Sequence, residues 1–276
     1  MNNMQLVFFN NSTILEGPEW NPERQCISCV SILEGCVYII YEDTGVIRTI
    51  DMKSQVGCAL WMDSDHLLVA SYNGIYKVNV ETDERVYVDN ILPRKDIRYN
   101  DGIFDKKKRF IVGTTGYNRL AEGENFLYSY CDGKAKVLVD GTTISNGIAF
   151  SPEADYMYFV DTPTRKVGRY RYDQETGEAC FDKYIISIDE GIPDGICVDD
   201  EGALWVAHWG GSQVSKWNSI SGEKIDKIDV PCKNVSSCCI GGQDRSYMYV
   251  TTAKHDDGSI SEVMAGALFK YRIKEN

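Results

Sequence analysis

Four side chains with oxygen donors share one local setting, each directly before a glycine: Glu16-Gly17, Asp101-Gly102, Asn146-Gly147 and Asp194-Gly195. Val56 and Ser237 stand in the same frame, and together the six positions recur at intervals of about 40–50 residues. If a fold brings them to one place, three carboxylates and an amide converge. Carboxylates so placed repel one another and lose hydration at considerable cost unless a cation neutralises them. An all-oxygen donor set suits Ca²⁺, Mg²⁺ or Mn²⁺, and three or so protein ligands leave positions for water and substrate. The competing reading is a hydrated polar rim, because channel mouths are wet and strand starts are often Asp or Asn.

The elements around these positions say how they are brought together. Short alternating strands recur, such as Leu67-Leu68-Val69-Ala70, Tyr156-Met157-Tyr158-Phe159-Val160 and Leu204-Trp205-Val206-Ala207. Each is followed by a strand that alternates polar with apolar, such as Ile75-Tyr76-Lys77-Val78 or Val214-Ser215-Lys216-Trp217. Each is preceded by a short apolar strand, usually opened by glycine, as in Gly147-Ile148-Ala149-Phe150. Period-two alternation reads as half-buried strand, and no segment reads as an amphipathic helix. Units of this length with about four strands each are propeller blades, and six such units fit the chain. The sixth runs out after Leu268-Phe269-Lys270-Tyr271, while Gln5 to Phe9 lacks a partner. An open edge is an aggregation hazard, so the N-terminal strand is expected to complete the last blade. The expected fold is an all-β, six-bladed β-propeller forming one domain over residues 1–276. A β-sandwich or a pair of β domains would need a Pro/Gly/Ser-rich divider, and the chain has none.

Composition narrows the function. The 276 residues are 43% hydrophobic and 25% charged, with a net charge of −12. No basic stripe offsets this charge, which argues against nucleic acid and anionic membranes as partners. The apolar stretch near the start is too short for a secretory signal, and no run approaches a membrane span; a cytoplasmic location is expected. The ten cysteines then read as thiols rather than disulfides. Cys26 and Cys29 form a lone C-x-x-C without the second pair that a zinc site requires. Nucleophile-elbow, zincin and P-loop motifs are absent; Gly113-Thr114-Thr115-Gly116 lacks the lysine and the length. His66, His208 and His255 are unpaired in sequence; among them, His208-Trp209-Gly210-Gly211 follows a strand and is a candidate for the channel mouth.

With these residues in view, the chain resembles the regucalcin and gluconolactonase family, which includes the senescence-marker protein and the luciferin-regenerating enzyme. The resemblance rests on Glu16-Gly17-Pro18 with Trp20, Arg98-Tyr99-Asn100-Asp101-Gly102, Ser145-Asn146-Gly147, Pro193-Asp194-Gly195 with Asp200-Glu201-Gly202-Ala203-Leu204-Trp205-Val206-Ala207, and Ser236-Ser237-Cys238-Cys239-Ile240-Gly241-Gly242. Five short motifs in order span nearly the whole chain. The resemblance implies a six-bladed propeller with one catalytic divalent metal (Ca, Zn, Mn, Mg or Fe), held by Glu16, Asn146 and Asp194. It places substrate contacts at Arg98 and Asn100. Where some relatives carry a glutamate pair in the loop after the Gly-Thr of blade three, this chain has Tyr117-Asn118, with Glu122 and Glu124 further on; Asn118 is the expected contact there.

The implied reaction is hydrolysis of a sugar aldonolactone. The metal acts as Lewis acid, Asp194 as general base, and Asp101 as the alternative base. Two other readings stand beside it: a non-catalytic calcium-binding protein of the regucalcin type, and a phosphotriester hydrolase on the same fold. The small-molecule lactone is the expected partner, and the expected solution state is a monomer or weak homo-oligomer.

Overall fold

A computed structural model describes residues 4–254 and 264–274. Its first strand, β1 (Gln5–Phe9), stands apart from the units that follow. The first unit is β2 (Leu15–Asn21), β3 (Cys26–Ser31), β4 (Cys36–Tyr41) and β5 (Val46–Asp51). The second is β6 (Val56–Trp61), β7 (His66–Ser71), β8 (Gly74–Asn79) and β9 (Arg85–Asp89). The third is β10 (Ile97–Phe104), β11 (Phe110–Gly116), β12 (Asn125–Cys131) and β13 (Lys134–Thr142). The fourth is β14 (Ser145–Phe150), β15 (Tyr156–Asp161), β16 (Lys166–Asp173) and β17 (Glu178–Ser187). The fifth is β18 (Ile192–Val198), β19 (Leu204–Trp209), β20 (Gln213–Trp217) and β21 (Lys224–Asp229). The sixth contributes β22 (Asn234–Gly241), β23 (Tyr247–Ala253) and β24 (Ala267–Arg272).

Each unit is a four-stranded antiparallel sheet, and the six sheets form a six-bladed propeller. The sixth sheet has the order β1-β24-β23-β22, so the N-terminal strand supplies its outer edge, as the sequence predicts. First and last blades are also tied near the axis: Ser236 Oγ donates to the Leu15 carbonyl at 2.6 Å, and Lys254 N donates to Thr13 O at 2.9 Å. Among the described residues the helical content is one 3₁₀ turn, Thr162–Thr164, and no helix is long and apolar enough to cross a membrane.

The reason the strands take these places is visible in their burial. Second strands such as β3 are buried on both faces, because each face meets a neighbouring blade, whereas β21 is exposed at nearly every position. The core is accordingly six separate clusters, one in each seam between blades. Cys26 and Cys29 fall into different seams, so the C-x-x-C does not form a joint site.

One irregularity repeats in every blade. The pairing of the innermost strand with its neighbour slips at the same level: between Glu16 and Glu19, Val56 and Cys58, Tyr99 and Gly102, Asn146 and Ile148, Pro193 and Ile196, and Val235 and Ser237. Bulges of this kind re-aim side chains. They coincide with recurrent glycines, and at Gly57, Gly147 and Gly195 the next blade leaves no room for a side chain. A Cβ on Gly57 would lie 2.5 Å from the Tyr99 carbonyl, and one on Gly147 would overlap the Asp194 carbonyl oxygen.

Candidate active site

The bulges place side chains of four inner strands around one cavity of about 290 Å³ at the end of the channel where those strands begin. Residues two apart on a strand share a face, and the cavity wall shows two layers built this way. The outer layer carries Ile14, Arg98, Ile144 and Ile192; the inner layer, two residues further along each strand, carries Glu16, Asn100, Asn146 and Asp194. Ile32, Thr115, Thr162 and Trp209 stand behind them on or just beyond the second strands.

The inner layer is buried and tightly connected. Gly17 N donates to Glu16 Oε2 at 2.6 Å, and Asn100 Nδ2 donates to the Ser145 carbonyl at 3.0 Å. Asn146 Nδ2 donates to Thr162 Oγ1 at 3.1 Å and also to Asp194 Oδ1. Both bonds of Asn146 use its nitrogen, which leaves its amide oxygen as a donor toward a cation. Arg98 Nη1 is held at 2.9 Å from both the Tyr99 carbonyl and Asn100 Oδ1.

Charge is the notable property of this layer. Burial, followed by the charges of Asp194 and Asp101, pushes the Glu16 carboxyl well above its usual range. Burial and the charge of Asp101 do the same to Asp194. Burial draws Arg98 down to about 10, against the pull of Glu16 and Asp194. One guanidinium therefore faces carboxylates that destabilise one another, a setting that a divalent cation relieves. The donor chemistry fits such an ion: two carboxylates and an amide oxygen, all hard ligands. Among the described residues no group of three or more His, Cys, Asp or Glu side chains has metal-holding geometry. An ion here would rest on Glu16, Asp194 and the neutral Asn146.

The expected site residues divide between places. Glu16, Arg98, Asn100, Asn146 and Asp194 meet at the one cavity. Asp101 lines a second cavity, toward the other end of the channel, although its charge reaches Glu16 and Asp194. The bulge in β10 lies between Tyr99 and Gly102, earlier than the repeat frame implies, so Asn100 takes the inner-layer position and Asp101 turns below it. Ser237 also lines the lower cavity, and Val56 is buried in a seam. Asn118 lies exposed after β11 with positive φ and is not part of the upper wall. His208 is structural: its ring nitrogens bond the Glu190 carbonyl at 2.7 Å and Ser215 Oγ at 2.6 Å. His66 pairs with Asp63, and His255 lies outside the described residues. Sequence reasoning missed the isoleucine layer and named Trp209 only as part of the His208-Trp209-Gly210-Gly211 segment, of which Trp209 lines the upper cavity. The signal was present in the spacing Ile14-x-Glu16, Ile144-x-Asn146 and Ile192-x-Asp194.

The fold and the ring of side chains define a six-bladed propeller with an acidic pocket at one mouth of its channel. Residues 14–254 match the family model described as SMP-30/Gluconolactonase/LRE-like region, and the chain belongs to that family. It is 32% identical to the pentonolactonase XacC of Haloferax volcanii, over 94% of this chain and 90% of that one. It is 30% identical to regucalcin of Xenopus laevis, over 97% of this chain and 93% of that protein. Among solved structures it superposes on the calcium-binding protein regucalcin of Agrobacterium tumefaciens with a TM-score of 0.89, at 25% identity, covering 98% of this chain and 93% of that one.

Proposed function

We propose that this protein hydrolyses a sugar lactone, using a divalent cation held by Glu16, Asn146 and Asp194. The observation that carries the reading is the inner layer itself: two carboxylates raised by burial and then by neighbouring charge, an amide oxygen and a single arginine, all facing one cavity. The family and the lactonase among the relatives support the same reaction.

A bound cation would supply Lewis acidity toward the lactone carbonyl and lower the pKa of water. The chain's own groups do the rest. Asp194 Oδ1 is engaged by Asn146, which leaves Oδ2 to accept the proton of the attacking water. Water adds to the carbonyl carbon, the ring C–O bond breaks, and the departing oxygen takes up a proton to give the open hydroxy acid. Arg98 remains protonated at neutral pH and, with Asn100, orients the ring and its hydroxyls. Trp209 and the isoleucines limit water to the inner layer. Asp101, below the pocket, acts on the field rather than on the substrate.

The test strips the protein with chelator, reloads it with Ca²⁺, Zn²⁺, Mn²⁺, Mg²⁺ or Fe²⁺ separately, and follows acid release from five- and six-membered aldonolactones. Turnover that depends on the ion is expected. Ion binding without hydrolysis of any lactone would overturn the enzymatic reading in favour of a calcium-binding role.

A further inference from the structure

The lower half of the channel opens into a second cavity of about 360 Å³, which lactone hydrolysis does not use. Its wall carries four cysteines: Cys58, Cys197, Cys238 and Cys239. Two of them meet. Cys197 Sγ on β18 lies 3.7 Å from Cys238 Sγ on β22, across the seam between blades five and six. The other two belong to different seams: Cys58 to that between blades two and three, Cys239 to that between blades six and one.

Reach and access both favour this pair. A disulfide requires the sulfurs to close from 3.7 Å to about 2.0 Å, with Cα atoms roughly 4.4–6.8 Å apart. The backbones of β18 and β22 touch beside the pair: a Cβ on Gly195 would lie 2.8 Å from Ser237 Cα. Both line the cavity, but Cys238 is 3% exposed whereas Cys197 is only half-buried and is the more accessible of the two.

We propose that Cys197 and Cys238 form a latent disulfide, an oxidation site whose co-reactant is a small hydroperoxide entering the lower cavity. The Cys197 thiolate attacks the terminal peroxide oxygen; the O–O bond breaks, the alcohol (or water) departs, and Cys197 becomes a sulfenic acid. Cys238 sulfur then attacks the sulfenic sulfur, the S–S bond forms, and the hydroxyl leaves with the Cys238 proton as water. Two thiols are oxidised for each peroxide reduced. Hydrogen bonding to Cys197, together with burial, keeps the Cys238 thiol protonated well above its usual range, which assigns the first attack to Cys197. The product staples β22 to the strand that carries Asp194.

The experiment treats the folded, full-length protein with hydrogen peroxide, blocks remaining thiols with N-ethylmaleimide, and digests it without reductant. The cross-linked peptide pair containing Cys197 and Cys238 is expected to be the main disulfide among the ten cysteines. In Cys238→Ser, a dimedone adduct is expected at Cys197. Recovery of both residues as maleimide adducts while exposed Cys180 oxidises would overturn the proposal, as would a cross-link from Cys197 to Cys58 or Cys239. The wild-type measurement decides the matter even if the variant does not fold.

Discussion

The side-chain amide of Asn146 donates to Asp194 Oδ1 across the seam between blades four and five. Two of the three proposed cation ligands are therefore oriented by each other, with Thr162 fixing the far side of the amide. This preorganisation limits the rearrangement a cation must impose, and it leaves one Asp194 oxygen uncommitted.

Asp194→Asn keeps the size and one oxygen but removes the charge and the basicity. It is expected to bind the ion more weakly and to lose roughly 10²-fold or more in kcat, a loss that saturating metal does not restore. Kinetics across a metal titration check this. Return to near wild-type turnover would leave Asp194 as a ligand only.

Protein purified without chelator should contain about one equivalent of divalent ion. Elemental analysis of wild type and of Glu16→Gln gives the comparison, the variant being expected to retain less. Full lactonase activity in excess EDTA, with no metal found, would remove the cation from the reaction.

Gly147→Ala places a methyl group against the Asp194 carbonyl oxygen and 3.0 Å from Ile196. Relief requires β18 to move away from β14. Overpacking of this kind costs about 1–3 kcal/mol, and the displaced Asp194 should lower kcat further than the loss of stability alone would. Chemical denaturation and steady-state rates, measured on the same preparation, separate the two effects.

Glu19 supplies a pH dependence away from the proposed ligands. It lines the lower cavity and accepts a hydrogen bond from Trp61 N at 2.9 Å, yet burial raises its carboxyl from 4.5 to about 7. The folded protein thus holds this proton more tightly than the unfolded chain does. Its contribution to stability is complete below pH 4.5 and is lost as pH rises through about 7. Glu19→Gln keeps an acceptor for Trp61 and cannot ionise, so its melting temperature should gain on wild type between those limits. Parallel melting curves across that range would refute the assignment.

Much of this architecture could be read from the chain because the blades repeat. Gly-led inner strands, buried second strands and the orphan pair of Gln5–Phe9 with the short last unit all carried signals of period or edge. Glu16, Asn146 and Asp194 were legible for the same reason. Asp101 was misplaced relative to Asn100 because a one-residue offset in a bulge reverses which side chain faces the pocket, and nothing in the local composition marks it. The outer strands, such as Lys134–Thr142 and Lys224–Asp229, were faint because most of their residues face solvent and their alternation is weak. The segment His208-Trp209-Gly210-Gly211 did reach the mouth, but through Trp209 and not His208, whose ring is spent on the Glu190 carbonyl and Ser215.

Removing Met1 to Asn10 takes away β1 and bares the backbone edge of β24. The shortened protein should aggregate or melt at a markedly lower temperature; a soluble, fully stable truncation would show that the strand is dispensable.

The pairing of β1 with β24 also sets a timetable. On the ribosome, Gln5–Phe9 emerges before the other strands of all six blades, and its partner Ala267–Arg272 after them. Blades one to five can assemble from local contacts as they appear, but β1 cannot pair in the sixth until β24 has been translated. Closing so long a loop is the slow, non-local step of such a topology. Until then a nascent chain carries two unsatisfied strand edges at once, and that interval is when it most needs chaperone cover.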